Sequence, residues 1–123
     1  MTLVMKFGGT SEGSAPAMSE KAVLVEQCQQ QWGKLVVIAS AMGSKPVKVT
    51  DLLLNGAHAA AAGDNTVFPK NLETIREIHA AAINELLAES EEREAVLAEN
   101  GRFSERYGEI CQAVYFLGEL TPR

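Results

Sequence analysis

Two short apolar runs, Leu3-Val4-Met5 and Leu35-Val36-Val37-Ile38, stand apart from the rest of the chain. Both are continuous rather than alternating, the pattern of strands covered on both faces in a parallel sheet. They predict strands over residues 2–6 and 34–39. Between them Met18, Ala22, Val25 and Cys28 recur at helical spacing. Ser14 supplies an N-cap oxygen, Pro16 falls in the first turn where its missing N–H costs little, and Gly33 offers a stop. Strand, helix and strand in that order imply a right-handed parallel βαβ unit.

After the second strand, the Gly and Pro of Ser40-Ala41-Met42-Gly43-Ser44-Lys45-Pro46 mark a loop. Thr50 or Asp51 caps a helix running through Leu52-Leu53-Leu54 and an alanine run to Ala62, and Gly63-Asp64-Asn65 breaks it. Leu72, Ile75, Ile78, His79, Ala82, Ile83, Leu86 and Leu87 then form a long amphipathic stripe. Ser90 opens a short acidic helix that stops at Asn100-Gly101. Ser104 starts a last helix with Tyr107, Ile110, Cys111, Val114 and Leu117 on one face. No repeat, low-complexity tract or linker interrupts the chain. Two strands among about five helices is fewer than a sheet normally has, and both outer edges would lie open. The pattern reads as the opening portion of a larger α/β domain. A small helical domain with a two-stranded ribbon is the alternative, against which the central-strand character of residues 35–38 weighs.

Composition narrows the function. With 123 residues, 46% of them hydrophobic, the chain can bury a core, so disorder is not expected. A net charge of −5 with no Lys/Arg cluster argues against nucleic acid as a partner. Cys28 and Cys111 lie far apart without a C-x-x-C, which suggests neither a zinc site nor a disulfide framework, and both read as small hydrophobes on helix faces. His58 and His79 have no Cys, Asp or Glu at ligand spacing, so helix packing is expected of them and no metal site is assigned. The acidic run at 89–94 reads as a solvated surface. No apolar run reaches membrane length, and the first is too short for a signal peptide, so a cytoplasmic protein is expected.

The candidate chemistry lies in Lys6-Phe7-Gly8-Gly9-Thr10-Ser11, where a strand ends in a cation, turns on glycines and leads to a helix N-terminus. Backbone amides and the positive end of the helix dipole favour an anion there, and Lys6 adds a mobile point charge. No G-x-G-x-x-G occurs. Gly8 and Gly13 have the spacing of a Walker A loop, but Ser14-Ala15 stands where that motif needs Lys-Ser/Thr. Physically, Gly8-Gly9 can equally be a plain tight βα turn. Lys6 and the hydroxyls of Thr10 and Ser11 move the balance toward phosphate.

Lys6 to Ser11 resembles the N-terminal signature of the aspartokinases, in the amino acid kinase superfamily. The resemblance continues in Val36-Val37-Ile38-Ala39-Ser40-Ala41-Met42, in Thr50-Asp51-Leu52-Leu53, and in Phe116-Leu117-Gly118-Glu119-Leu120-Thr121-Pro122-Arg123, and so spans the chain. It implies an α/β fold: the N-terminal portion of an amino acid kinase (carbamate kinase-like) domain, helix-rich with at least two parallel strands. The nucleotide-binding half and the regulatory ACT domains would lie beyond Arg123.

The resemblance also implies roles. Lys6 would contact the transferred phosphoryl group as the catalytic residue. Gly8 and Gly9 would bring backbone N–H groups to the ATP phosphates, with Thr10 and Ser11 completing the loop. Ser40 and Thr50 would bind L-aspartate, although Ser40 can also merely end a strand and Thr50 merely cap a helix. Residues 44–48 lengthen the Ser40-to-Thr50 spacing by a few residues over the family's usual pattern, which bears on Thr50 more than on Ser40. Gly118-Glu119-Leu120 resembles the helix before the family's substrate-contacting Gly-Glu, so Glu119 is not assigned to the site. The implied reaction moves the γ-phosphate of ATP, with Mg2+, to the side-chain carboxylate of aspartate. It gives 4-phospho-L-aspartate at the head of lysine, threonine and methionine biosynthesis, in a parent enzyme expected to be a homo-oligomer. This chain alone is expected to be inactive. Two other readings stand beside it: an amino acid kinase with a glutamate-type acceptor, and a non-catalytic module that binds an anion or another chain.

Overall fold

In a computed structural model the described residues are 1–8, 13–44 and 47–120. They form two compact units, Met1–Lys48 and Val49–Arg123.

The first unit is the expected βαβ. Strand β1 (Thr2–Lys6) pairs in parallel with β2 (Lys34–Ile38), in a register from Thr2 opposite Lys34 to Lys6 opposite Ile38. Helix α1 (Ala15–Gln31) connects them. Ser14 caps it from an extended backbone, its Oγ accepting from the Ala17 N–H at 3.4 Å, and a proline stands in the first turn. The helix ends when Trp32 turns extended and donates its N–H to the Cys28 carbonyl at 3.0 Å, so termination precedes Gly33 and uses no left-handed residue there. The sheet is less covered than its apolar runs predict. Leu3, Met5 and Leu35 are half-buried, while Val4, Val36, Val37 and Ile38 are exposed. Helix α1 packs on β2, and two strands offer it too narrow a surface to shield both faces.

The expected loop after β2 instead contains a small antiparallel ribbon. Strands β3 (Gly43–Ser44) and β4 (Val47–Lys48) pair Gly43 with Lys48 and Ser44 with Val47. Gly43 has φ 102°, a conformation that glycine adopts without strain. The lengthening relative to the family pattern therefore coincides with this ribbon, and residues 45 and 46 lie outside the described residues.

The second unit is three mutually packed helices: α2 (Val49–Ala61), α3 (Val67–Leu86) and α4 (Glu91–Leu117). Its core is Ala60, Phe68, Cys111 and Val114, with Tyr107 and Tyr115 against it. Small residues let α2 approach: a Cβ on Gly56 would stand 3.0 Å from Phe68 Cβ and 2.5 Å from the Tyr107 oxygen. Two side chains bond carbonyls near the start of α2. Asn71 Nδ2 donates to the Leu52 carbonyl at 3.0 Å, and the Tyr107 hydroxyl donates to the Leu53 carbonyl at 2.6 Å. The turn from α2 to α3 uses Gly63 at φ 89°. Asp64 Oδ1 then accepts from both the backbone N–H (2.8 Å) and the hydroxyl (2.6 Å) of Thr66.

Three expectations change here. Helix α2 begins at Val49, directly after β4, so Thr50 and Asp51 lie inside its first turn rather than capping it. Asn100-Gly101 does not stop a helix. A single helix runs through it, Ser104 donating its hydroxyl to the Asn100 carbonyl at 3.0 Å instead of capping a new start. The cost of a mid-helix glycine, about 1 kcal/mol, is outweighed by the continuous packing that buries Ser104, Cys111 and Val114. Finally, Tyr107, Cys111 and Val114 face the core, but Ile110 and Leu117 point to solvent. The N-terminus of α4 is as expected, Ser90 Oγ accepting from the Arg93 N–H at 3.2 Å.

Candidate functional site

Parallel pairing fixes which ends of the strands coincide. Because Lys6 is opposite Ile38, the carboxyl ends of β1 and β2 lie side by side, and the segments leaving them start together. The pairing extends one step further, with Phe7 donating its N–H to the Ile38 carbonyl at 2.9 Å. Ser40 closes the corner, its Oγ donating to the Phe7 carbonyl at 3.3 Å. Lys6, Gly8 and Ser40 are all exposed. Three sequence-predicted residues, 32 to 34 positions apart in the case of Ser40, thus meet at one sheet end. This is where ligands bind in open α/β sheets.

The chemistry of the corner suits an anion. Lys6 brings a cation on a flexible stem, and among the described residues it makes no ion pair. Among the described residues a Cβ on Gly8 would meet nothing within 4 Å. The Ser40 hydroxyl can both donate and accept. Gly9, Thr10 and Ser11 lie outside the described residues. Thr50 is exposed in the first turn of α2, in the other unit, where the free N–H groups of a helix start also favour negative charge.

Among the described residues no three His, Cys, Asp or Glu side chains cluster as metal ligands. Magnesium is commonly held by one or two carboxylates together with substrate phosphates. The corner offers a lysine, a hydroxyl and backbone, groups that suit an anion rather than a bare cation. His79 is occupied in its own helix, its Nδ1 lying 2.8 Å from the Ile75 carbonyl, and Cys111 is buried in the core. Asp64 is held below the ordinary carboxylate range by its two bonds from Thr66, a turn-forming arrangement. Burial, and then its neighbour Cys111, push the Tyr107 phenol above its ordinary value. Both groups serve the helical unit and have no place in the sheet corner. A cleft of about 370 Å³ is lined by Met1, Gln31, Trp32 and Gly33. It sits at the amino ends of the strands, opposite Lys6, and among the described residues gathers no ionisable side chain.

One participant was not foreseeable from residue types. The Phe7 carbonyl, which orients Ser40, becomes a partner only through the β1–β2 register, and no side-chain pattern signals it.

No family model matches the chain. Individual proteins do. It is 35% identical to aspartokinase 3, chloroplastic, of Arabidopsis thaliana over 124 aligned residues, which is 100% of this chain and 20% of that protein. It is 37% identical to aspartokinase 1, chloroplastic, of the same plant over 70% of this chain and 14% of that protein. Aspartate kinase of Pseudomonas fluorescens (strain SBW25) is 34% identical over 59% of this chain and 16% of that protein. The chain therefore spans about a fifth or less of the length of these curated relatives. They agree with the resemblance carried by Lys6 to Ser11. The parallel pair and helix-rich remainder agree with an α/β fold. Among the described residues no helix is long and apolar enough to cross a membrane.

Proposed function

We propose that this chain is a portion of an aspartokinase, the part of its amino acid kinase domain that presents a lysine and a glycine turn to the transferred phosphate. The observation that carries the reading is the sheet corner. Lys6, Gly8 and Ser40, the residues quoted for the aspartokinase resemblance, come together at the carboxyl end of the parallel pair. The aspartokinase relatives, one matched along the entire chain, support it.

In this proposal an oxygen of the aspartate side-chain carboxylate attacks the γ-phosphorus of ATP. The new O–P bond forms as the bond to ADP breaks, giving an acyl phosphate. The carboxylate is ionised near pH 7, so no proton must be removed and no strong base is needed. The work left to the protein is positioning and charge stabilisation. Lys6 offsets the charge that builds on the phosphoryl oxygens. By the aspartokinase resemblance, Gly8 and Gly9 are assigned to bring backbone N–H groups to the phosphates, and Thr10 and Ser11 to complete the loop. Ser40 is assigned to the amino acid by the aspartokinase resemblance, as is Thr50. Mg2+ would supply further charge neutralisation on the phosphates, beside that given by Lys6.

The test is to trap acyl phosphate as its hydroxamate, with Mg-ATP and aspartate, glutamate or N-acetylglutamate as acceptor. The 123-residue chain is run beside a polypeptide extended beyond residue 123 along its gene. The expected result is product from the extended polypeptide with aspartate alone, and none from this chain. Preference for a glutamate-type acceptor would move the assignment to another amino acid kinase. Steady turnover by the 123-residue chain would refute its expected dependence on further residues.

A further inference from the structure

Asn-Gly occurs twice in the chain, at Asn55-Gly56 in α2 and at Asn100-Gly101 in α4. This pair carries chemistry of its own. Glycine has no Cβ to shield its nitrogen, which can close on the side-chain amide of the asparagine before it. An intact helix prevents the closure, because the glycine N–H is bonded to the preceding turn. The structure sets the two pairs in unlike surroundings. Gly56 is buried, and a Cβ there would stand 3.0 Å from Phe68 Cβ, so α2 is clamped against α3 at the pair itself. Asn100 and Gly101 are half-buried, and among the described residues a Cβ on Gly101 would meet nothing within 4 Å. Residues 91–103 of α4 include no buried side chain, since Ser104, Cys111 and Val114 all follow them. Val96 and Phe103 face solvent, and the stretch is tied to α3 by an exposed bond, Arg93 Nε donating to Asn84 Oδ1 at 2.8 Å.

We propose that Asn100 is a site of self-modification, reached when residues 91–103 open locally while the core around Cys111 stays folded. Local opening costs least where few apolar side chains are buried, and a mid-helix glycine lowers the cost further. In the opened stretch the Gly101 nitrogen gives up its proton and attacks Cγ of Asn100. The N–Cγ bond forms, the side-chain nitrogen leaves as ammonia carrying a proton, and a succinimide ring remains. Water then opens the ring at either carbonyl, giving aspartate or isoaspartate at position 100. The sequence of steps consumes only water and releases only ammonia.

The product differs from Asn100 in two ways. It sets a negative charge directly beside Glu99. Isoaspartate also routes the main chain through an added carbon, so helical hydrogen bonding cannot continue in register across the site. Asn100-Gly101 then becomes the helix break that its composition suggests. This inference is independent of the catalytic reading.

The test incubates the 123-residue chain in mildly alkaline buffer and samples it over time by peptide mass spectrometry. The readouts are the mass gained as amide becomes acid and the elution that separates isoaspartate from aspartate. The expected result is conversion at Asn100 well ahead of Asn55 in the folded chain. In concentrated urea, where neither pair is held in a helix, the two should convert at similar rates. Arg93→Ala removes the tie to Asn84. It should raise the rate at Asn100 roughly two- to tenfold, the effect on an opening equilibrium of losing one hydrogen bond, and leave Asn55 unchanged. Conversion at Asn55 as fast as at Asn100 in the folded chain overturns the proposal. Conversion at neither position in the folded chain, with both converting in urea, does so equally. An Asn100 rate indifferent to Arg93→Ala, or a rise at both positions alike, overturns the local opening on which the proposal depends.

Discussion

Gly56 shows how far one hydrogen atom can decide packing. Alanine there would gain about 1 kcal/mol of helix propensity. Its Cβ, however, would stand 3.1 Å from the Phe68 Cα and 2.5 Å from the Tyr107 hydroxyl oxygen, and a backbone atom of α3 cannot step aside cheaply. Overpacking typically costs 1–3 kcal/mol, so Gly56→Ala should be net destabilising by roughly 1 kcal/mol, read as a lower urea midpoint at unchanged slope. Tyr107→Phe removes the 2.6 Å bond to the Leu53 carbonyl and should cost about 1 kcal/mol. The sign of its pH dependence follows from the raised phenol. The folded state holds the proton more tightly than the unfolded state, so the contribution is complete below the ordinary value of 10.0 and is lost as pH rises beyond it. The wild-type advantage over Tyr107→Phe should accordingly shrink in strong alkali. Asp64 is the reverse case. Its carboxylate is favoured by the Thr66 bonds, so its stabilisation is present above the ordinary value of 3.8 and fades as pH falls through the lower folded value. An Asp64 carboxyl carbon that titrates by NMR at or above 3.8 would contradict this.

At the scale of elements, α4 carries the sharpest test. If residues 91–117 are one helix, Gly101 has no backbone need to be glycine. Its φ is not positive, and a Cβ there would meet nothing within 4 Å. Gly101→Ala should then stabilise the protein by about 0.5–1 kcal/mol. A loss of stability would mean that the chain turns at this point, as Asn100-Gly101 suggests in the sequence. Elements with local chemistry were legible in advance: the apolar runs of β1 and β2, the Ser14 and Ser90 caps, and the break at Gly63. Elements decided by distant contacts were not. Asn100-Gly101 has the composition of a stop, yet packing against α2 and α3 carries the helix through it. Ile110 and Leu117 look like core by type, and only the direction of α4 turns them outward. The β3–β4 ribbon rests on two residue pairs, too few to leave a period in the sequence. The site followed the same division. Lys6, Gly8 and Ser40 were nameable from their motif, but their meeting depends on a register set by backbone hydrogen bonds.

Across the whole molecule, the two units differ in what they hold. The helical unit has a buried core around Phe68 and Cys111. The βαβ unit leaves Val4, Val36, Val37 and Ile38 exposed while placing its candidate chemistry at one end of the sheet. The proposed reaction has an acceptor that is already ionised near pH 7, so it asks of the corner positioning and charge stabilisation. The proposed aspartokinase role makes Lys6 the residue on which transfer depends. The most direct measurement is therefore acyl-phosphate formation from aspartate and Mg-ATP by the extended polypeptide, with Lys6 and with Lys6→Ala. Lys6 is exposed, so the variant should fold with unchanged secondary structure. The account predicts that the rate falls by at least about 10²-fold, the scale of losing one preorganised charge-stabilising group. A Lys6→Ala enzyme that stays within a few-fold of the parent would contradict it.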